Sequence, residues 1–133
     1  MSSLTYVNEE GAGQKHSDLC HYSQAVILGN TVKCSGQGGW TGSGALDASD
    51  IHGQVDLAFQ NVDKVLRAAG LRGWDDVYLI RSYHVDMGAS YDRFVKRLWE
   101  RIPGHRPIWT ALAVPELAFP AMKIEIEVEA IKQ

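Results

Sequence analysis

Cysteine is nearly absent from this chain. Its two cysteines, Cys20 and Cys34, are too few for the disulfide framework of a small exported domain. His16 and His21 lie near Cys20, but no Cys-x-x-Cys or His-Glu-x-x-His pattern occurs, so no metal centre is expected. No apolar run approaches the ~20 residues of a membrane span. The opening "MSSLTYVNEEGAGQK" lacks both the basic and the apolar region of a secretory signal. Cytosol is therefore the expected compartment, with the mitochondrion as the alternative. Excess basic charge is also missing: the net charge is −3, whereas a nucleic-acid-binding domain usually carries a basic patch. Internal repeats, charge blocks and linkers are absent too, so residues 1–133 read as one domain. The glycine-rich "GQGGWTGSG" does not end in Gly-Lys-Ser/Thr as a phosphate-binding loop does. It reads as a loop that needs backbone freedom.

What is present is periodicity. In "KIEIEVEAI", Ile124, Ile126, Val128 and Ala130 alternate with Glu125, Glu127 and Glu129, the pattern of a strand with one apolar face and one acidic face. Thr5–Val7 reads as a short edge strand. Ala25–Leu28 and Thr31–Ser35 read as a hairpin turning at Gly29-Asn30. Ser49 is placed to cap a helix whose stripe is Ile51, Val55, Phe59, Val62, Leu66 and Ala69, with Gly70 closing it. "DDVYLIRSYHVDM" reads as a strand buried on both faces. A second helix is expected from near Ser90, with Tyr91, Phe94, Val95, Leu98 and Ile102 inward, and "IWTALAV" follows as a strand. The order β-β-β-α-β-α-β-β predicts an α+β domain whose helices cover one face of a sheet. The glutamate face is left to water or to another subunit.

The stretches "YSQAVILGNTVKCSGQ", "QNVDKVLRAAGL" and "MKIEIEVEAI", in this order and spacing, resemble the Rid family of reactive intermediate deaminases. That family is also called YjgF and is often labelled L-PSP endoribonuclease. The resemblance covers Tyr22 to Ile131. It implies a chorismate-mutase-like fold, one mixed sheet with two helices on one face, and a homotrimer whose helix-free faces form a barrel. It further implies an active site in a cleft between subunits that hydrolyses imines or enamines of small metabolites without a cofactor. By position, Glu125 matches the family's water-orienting glutamate and Tyr22 its pocket tyrosine. Ser35 and Gly36 match its substrate-binding Ser-Gly segment. Read without the resemblance, Glu125 is a solvated strand carboxylate like Glu127 and Glu129.

One departure stands out. Aligned through Pro107, Trp109 occupies the position of the arginine that binds the substrate carboxylate in such deaminases. Thr110 and Ala111 fill the neighbouring positions, and Gly88 stands near the family's asparagine. Trp109, Thr110 and Ala111 are therefore expected beside the substrate. Trp109 is either a wall for a flat ligand or a packed interface aromatic. Arg106 and Arg81 are the candidate replacements for the lost cation, although Arg106 lies at an odd strand separation from Trp109. The expected substrate is an enamine or imine other than a simple 2-imino acid. The alternatives are a trimeric protein that binds a small molecule without turnover and, with less support in an acidic chain, an endoribonuclease.

Overall fold

The computed structural model describes residues 1–133. Its elements are β1 (Thr5–Val7), α1 (Ala12–Cys20), β2 (Ala25–Leu28), β3 (Thr31–Gly38), α2 (Ile51–Ala68), β4 (Val77–His84), α3 (Met87–Arg101), β5 (Ile108–Ala113) and β6 (Ile124–Ile131). A 3-10 turn at Gly73–Asp76 leads into β4. The six strands form one mixed sheet in the order β1-β2-β3-β6-β4-β5. Every pair is antiparallel except β4 with β5.

Most of the expected elements stand, with four corrections. There are three helices rather than two. The additional one, α1, is polar nearly all round and buries only Ala12 and Gly13, so it offers no apolar stripe to read. It stops at His21, whose φ of 55° supports a left-handed end. The α2 cap is Asp50, which accepts from the Gly53 N–H at 2.9 Å, not Ser49. The third helix starts at Met87, because Asp86 accepts from the Ala89 N–H at 3.1 Å. Ser90 is instead buried within its first turn. Strand β3 continues past Ser35 to Gly38 through a register shift between Cys34 and Gln37, which is a bulge.

The core lies between the sheet and α2 with α3. Ile124, Ile126, Val128 and Ala130 are fully buried beneath Val55, Phe59, Val62 and Leu66. Each such aliphatic side chain contributes about 1.5–3 kcal/mol by leaving water. Trp74 stacks on Phe59 at 4.6 Å and its indole N–H donates to the Phe59 carbonyl at 2.9 Å, so the largest core side chain leaves no polar atom unpaired. Gly29 adopts φ 62° in the tight hairpin, and Gly70 adopts φ 88° just beyond α2, both as their glycine identity allows. Strand β4 is not buried on both sides. Ile80, Ser82 and His84 are buried, whereas Leu79, Arg81 and Tyr83 are half-buried on the glutamate face. No helix is long and apolar enough to cross a membrane.

Candidate active site

The bulge in β3 decides where the glutamates differ. In register, Glu125 sits opposite Gly38 on one side and Tyr83 on the other. Its side chain crosses the bulged segment directly over Gly36, where any Cβ would overlap the carboxyl group. Only glycine lets the carboxylate lie there. The bulge is itself held from below. The Gln24 side-chain amide donates to Gln37 Oε1 at 3.0 Å, and the Gln37 amide donates to the Ser35 carbonyl at 3.0 Å. The Ser35 N–H donates to the Gln24 carbonyl at 2.7 Å. Gln24 Oε1 also accepts from the Glu9 N–H at 2.9 Å, tying the segment before α1 to the same pair.

Above the bulge is a pocket of about 260 Å3 lined by Tyr22, Ser35, Gly36 and Glu125 together with His16, Cys20, Trp40, Phe119 and Met122. Burial raises the Glu125 carboxyl above its ordinary range, and the neighbouring Glu127 adds to the shift. Such a group gives and takes a proton nearer neutrality than a free carboxylate does. Burial also raises the Tyr22 phenol, with further contributions from Cys20 and Glu125, so Tyr22 stays an O–H donor. Cys34, behind the strand, is pushed up to about 12 by burial and is an inert core thiol.

Glu127 and Glu129 are occupied otherwise. Glu127 accepts from the Tyr83 hydroxyl at 2.7 Å and pairs with Arg81 at 3.6 Å. Glu129 accepts from the Tyr78 hydroxyl at 2.9 Å, with Arg81 at 3.5 Å and Lys33 at 4.0 Å. These pairs are half-exposed and worth at most about 1 kcal/mol each, but they commit Arg81. Arg106 is committed elsewhere too, its guanidinium 5.5 Å from the Trp99 ring on α3. Neither arginine supplies a cation to the Glu125 pocket.

Of the expected site residues, Tyr22, Ser35, Gly36 and Glu125 come together. Trp109 and Ala111 do not join them. They pair with Ile80 and Ser82 on the helix-covered face. Trp109 stacks on Phe94 at 4.9 Å and on Tyr91 at 5.3 Å. Thr110 pairs with Arg81 on the glutamate face, but on the edge strand two places away from β6.

A hydrogen-bond chain fixes Trp109 where it is. Its indole N–H donates to Ser82 Oγ at 2.9 Å. Ser82 Oγ lies 2.7 Å from His84 Nε2, and His84 Nδ1 lies 2.6 Å from Ser90 Oγ. Ser90 spends its one hydroxyl proton on the Asp86 carbonyl at 2.7 Å, so it must accept from His84 Nδ1–H. That leaves Nε2 as an acceptor for the Ser82 hydroxyl. The chain therefore runs in one direction on each side of a neutral histidine, whose pKa burial lowers.

The residues that sequence reasoning missed are His16, Cys20, Trp40, Phe119 and Met122. His16 and Cys20 are four apart on α1 and so share a face, a signal that needed α1 to be recognised first. No group of three or more His, Cys, Asp or Glu side chains converges as a metal centre would.

The endoribonuclease L-PSP family model matches residues 14–132. No curated protein matches significantly. Among solved structures, one named Protein YJGH is 30% identical over 98% of each chain, with a TM-score of 0.85. A YjgF/YER057c/UK114-family protein from Mycobacterium tuberculosis is 26% identical over 97% of this chain and 99% of its own, with a TM-score of 0.79. E. coli TdcF with bound serine is 28% identical over 84% of this chain and 88% of its own, with a TM-score of 0.73. The overall similarity to these structures agrees with the chorismate-mutase-like architecture, and the chain belongs to the endoribonuclease L-PSP family, the family of the YjgF and RidA proteins.

Proposed function

We propose that this protein hydrolyses or tautomerises a small enamine or imine, with Glu125 as its acid/base group. The observation that supports this most is the placement of Glu125. It is held over Gly36 at a bulge with a raised pKa, while its two neighbours on the strand are tied up in ion pairs.

In hydrolysis of the protonated imine, Glu125 takes a proton from water as the water oxygen bonds to the C=N carbon and the π pair moves to nitrogen, giving a neutral carbinolamine. Glu125 returns that proton to the nitrogen, which departs as ammonia or an amine as the C–N bond breaks, and takes up the hydroxyl proton as the carbonyl forms. The Tyr22 and Ser35 hydroxyls donate to the developing charge. For tautomerisation the same carboxyl moves a proton between carbon and nitrogen. No step needs a cofactor.

The helix-free sheet face leaves Ile108 and Leu112 exposed, and we place this face within a homotrimer. Thr110 would then reach a neighbouring copy's cleft, whereas Trp109 and Ala111 point into their own helix layer. A mass three times that of the chain by light scattering is expected, and a monomer at micromolar concentration would refute the trimer.

Simple 2-imino acids are not the expected substrates, because β5 carries no cation from Ile108 to Ala113 to pair with their carboxylate. A charged hydrogen bond of that kind is worth about 1.5–3 kcal/mol. Imino acids generated in place by an amino-acid oxidase should therefore hydrolyse no faster with the protein than in buffer. A faster rate abolished by Glu125→Gln would overturn this substrate assignment and keep the role of Glu125.

The missing cation also favours a second reading, a trimer that binds a small molecule without turnover. E. coli TdcF is described with bound serine. If Glu125→Gln keeps ligand affinity but stops product formation, the enzyme reading stands. If no enamine, enol tautomer or keto acid turns over, binding is the better account. The endoribonuclease reading has the least support, since the pocket offers no cation for a phosphate.

A further inference from the structure

Helix α1 gives the Glu125 pocket a wall that nothing in the proposed chemistry requires. The His16 ring stands edge-on to Trp40 at 4.8 Å and tilted against Phe119 at 5.9 Å. Trp40 and Met122 form a small apolar cluster with Ala12 of α1, so the helix is packed onto this wall. Two of the three buried side-chain polar atoms in the chain that lack a hydrogen-bond partner, His16 Nδ1 and Ser35 Oγ, belong to residues lining this one pocket. Buried polar atoms without a partner in the chain are rare and call for one from outside it, whether water or a bound group.

The charge inventory is equally one-sided. Glu125 is the only Asp, Glu, Lys or Arg among the lining residues. Arg81 and Lys33, cations of the same sheet face, pair with Glu127 and Glu129. A bound carboxylate would meet Glu125 with no cation between them. A cation would meet a carboxylate and the aromatic side chains of Phe119, Tyr22 and Trp40, and aromatic rings attract positive charge. At about 260 Å3 the pocket lies just below the ~300–1,000 Å3 usual for drug-sized ligands, leaving room for one or two rings.

We propose that α1 turns the Glu125 pocket into a box for a ring-bearing iminium or enamine that carries no carboxylate, with His16, Trp40 and Phe119 setting this preference. The proposal rests on Glu125 being the working carboxylate and adds the class of compound it serves. The ring packs against Phe119, His16 holds Trp40 edge-on behind it, and Glu125 faces the charged nitrogen.

The test is a binding titration of the full chain, read by tryptophan fluorescence and calorimetry, with two ring compounds of similar size. N-methyl-3,4-dihydroisoquinolinium is a permanent iminium without a carboxylate, and phenylpyruvate carries one. The iminium should bind about tenfold tighter or more. Phe119→Ala and His16→Leu should each weaken iminium binding severalfold and leave phenylpyruvate unchanged. Phe119 lies in a loop and is 38% exposed, so its variant remains informative if His16→Leu does not fold.

Equal or tighter binding of phenylpyruvate overturns the proposal, as does unchanged iminium affinity in Phe119→Ala. Turnover separates this failure from that of the parent reading. Glu125-dependent hydrolysis of a carboxylate-bearing imine would sink the ligand class and keep the role of Glu125. Iminium binding untouched by Glu125→Gln would sink the ligand class, because Glu125 would then not be what holds the cation. The role of Glu125 would still be judged by turnover.

Discussion

Replacing Gly36 with alanine tests the site without touching an ionisable group. A Cβ built there falls 2.5 Å from Glu125 Cδ and 2.6 Å from Cγ, whereas Cβ contacts under 3.0 Å essentially never occur. Gly36 does not have a positive φ, so its own backbone accepts alanine without strain. The Glu125 side chain must yield, because the overlap runs from its carboxyl oxygen back through Cδ to Cγ. Swinging out from the bulge returns the carboxylate to water and removes most of the desolvation that raises its pKa. Folding stability should change little, since the ~0.4–1 kcal/mol that alanine contributes through the unfolded chain offsets part of the steric cost. Catalysis should fall far more. A displaced general acid/base costs about 10²–10⁴ in rate, or roughly 3–5 kcal/mol in the barrier. The assay is carbon-13 NMR titration of the glutamate carboxyls in both proteins. The raised resonance assigned to Glu125 should move to the ordinary glutamate range in Gly36→Ala. A Glu125 pKa that stays raised in the variant would refute the geometry on which the site is built.

Ser82→Ala should strip partners from both the Trp109 indole N–H and His84 Nε2. At about 1–3 kcal/mol for each buried orphan, a loss of roughly 2–5 kcal/mol in urea unfolding is expected, and a change below 1 kcal/mol would count against the chain. His84 is neutral and buried, with a pKa lowered from its ordinary 6.5, so the unfolded chain binds the extra proton. Its contribution is therefore complete above about pH 6.5 and is lost as pH falls below that value, and its C2 proton should titrate below 6.5 by NMR. Glu125 has the opposite sign, because its raised pKa makes the folded state bind the extra proton. Glu125→Gln should therefore raise stability at neutral pH, with the gain shrinking as pH falls through the carboxylate range. A Glu125→Gln protein less stable than its parent at pH 7 would contradict a desolvated carboxylate.

The alternation of the last strand told which of its side chains enter the core, and glycine chemistry marked the hairpin and the end of α2. Both signals are local. The position of Glu125 over Gly36 was legible only through the resemblance, because a bulge shifts the register without altering composition. Helix α1 was illegible for a different reason. It buries so little that its sequence carries no apolar period, yet it supplies His16 and Cys20 to the pocket. For Trp109 the sequence left two readings open, a pocket wall or a packed aromatic, because alignment gives a position along a strand and not the face that its side chain takes. Ser82 on the next strand decided that face, by offering the indole an acceptor within the helix layer.

The one-way hydrogen-bond chain around His84 also constrains how this sequence can change. An arginine at position 109 would leave the layer against Phe94 without its indole and place a charge among buried groups. A cation at this position is thus not a single tolerated change, because the aromatic layer of Phe94 and Tyr91 would have to change with it. The identity of residue 109 is held by the core behind the sheet rather than by the pocket in front of it.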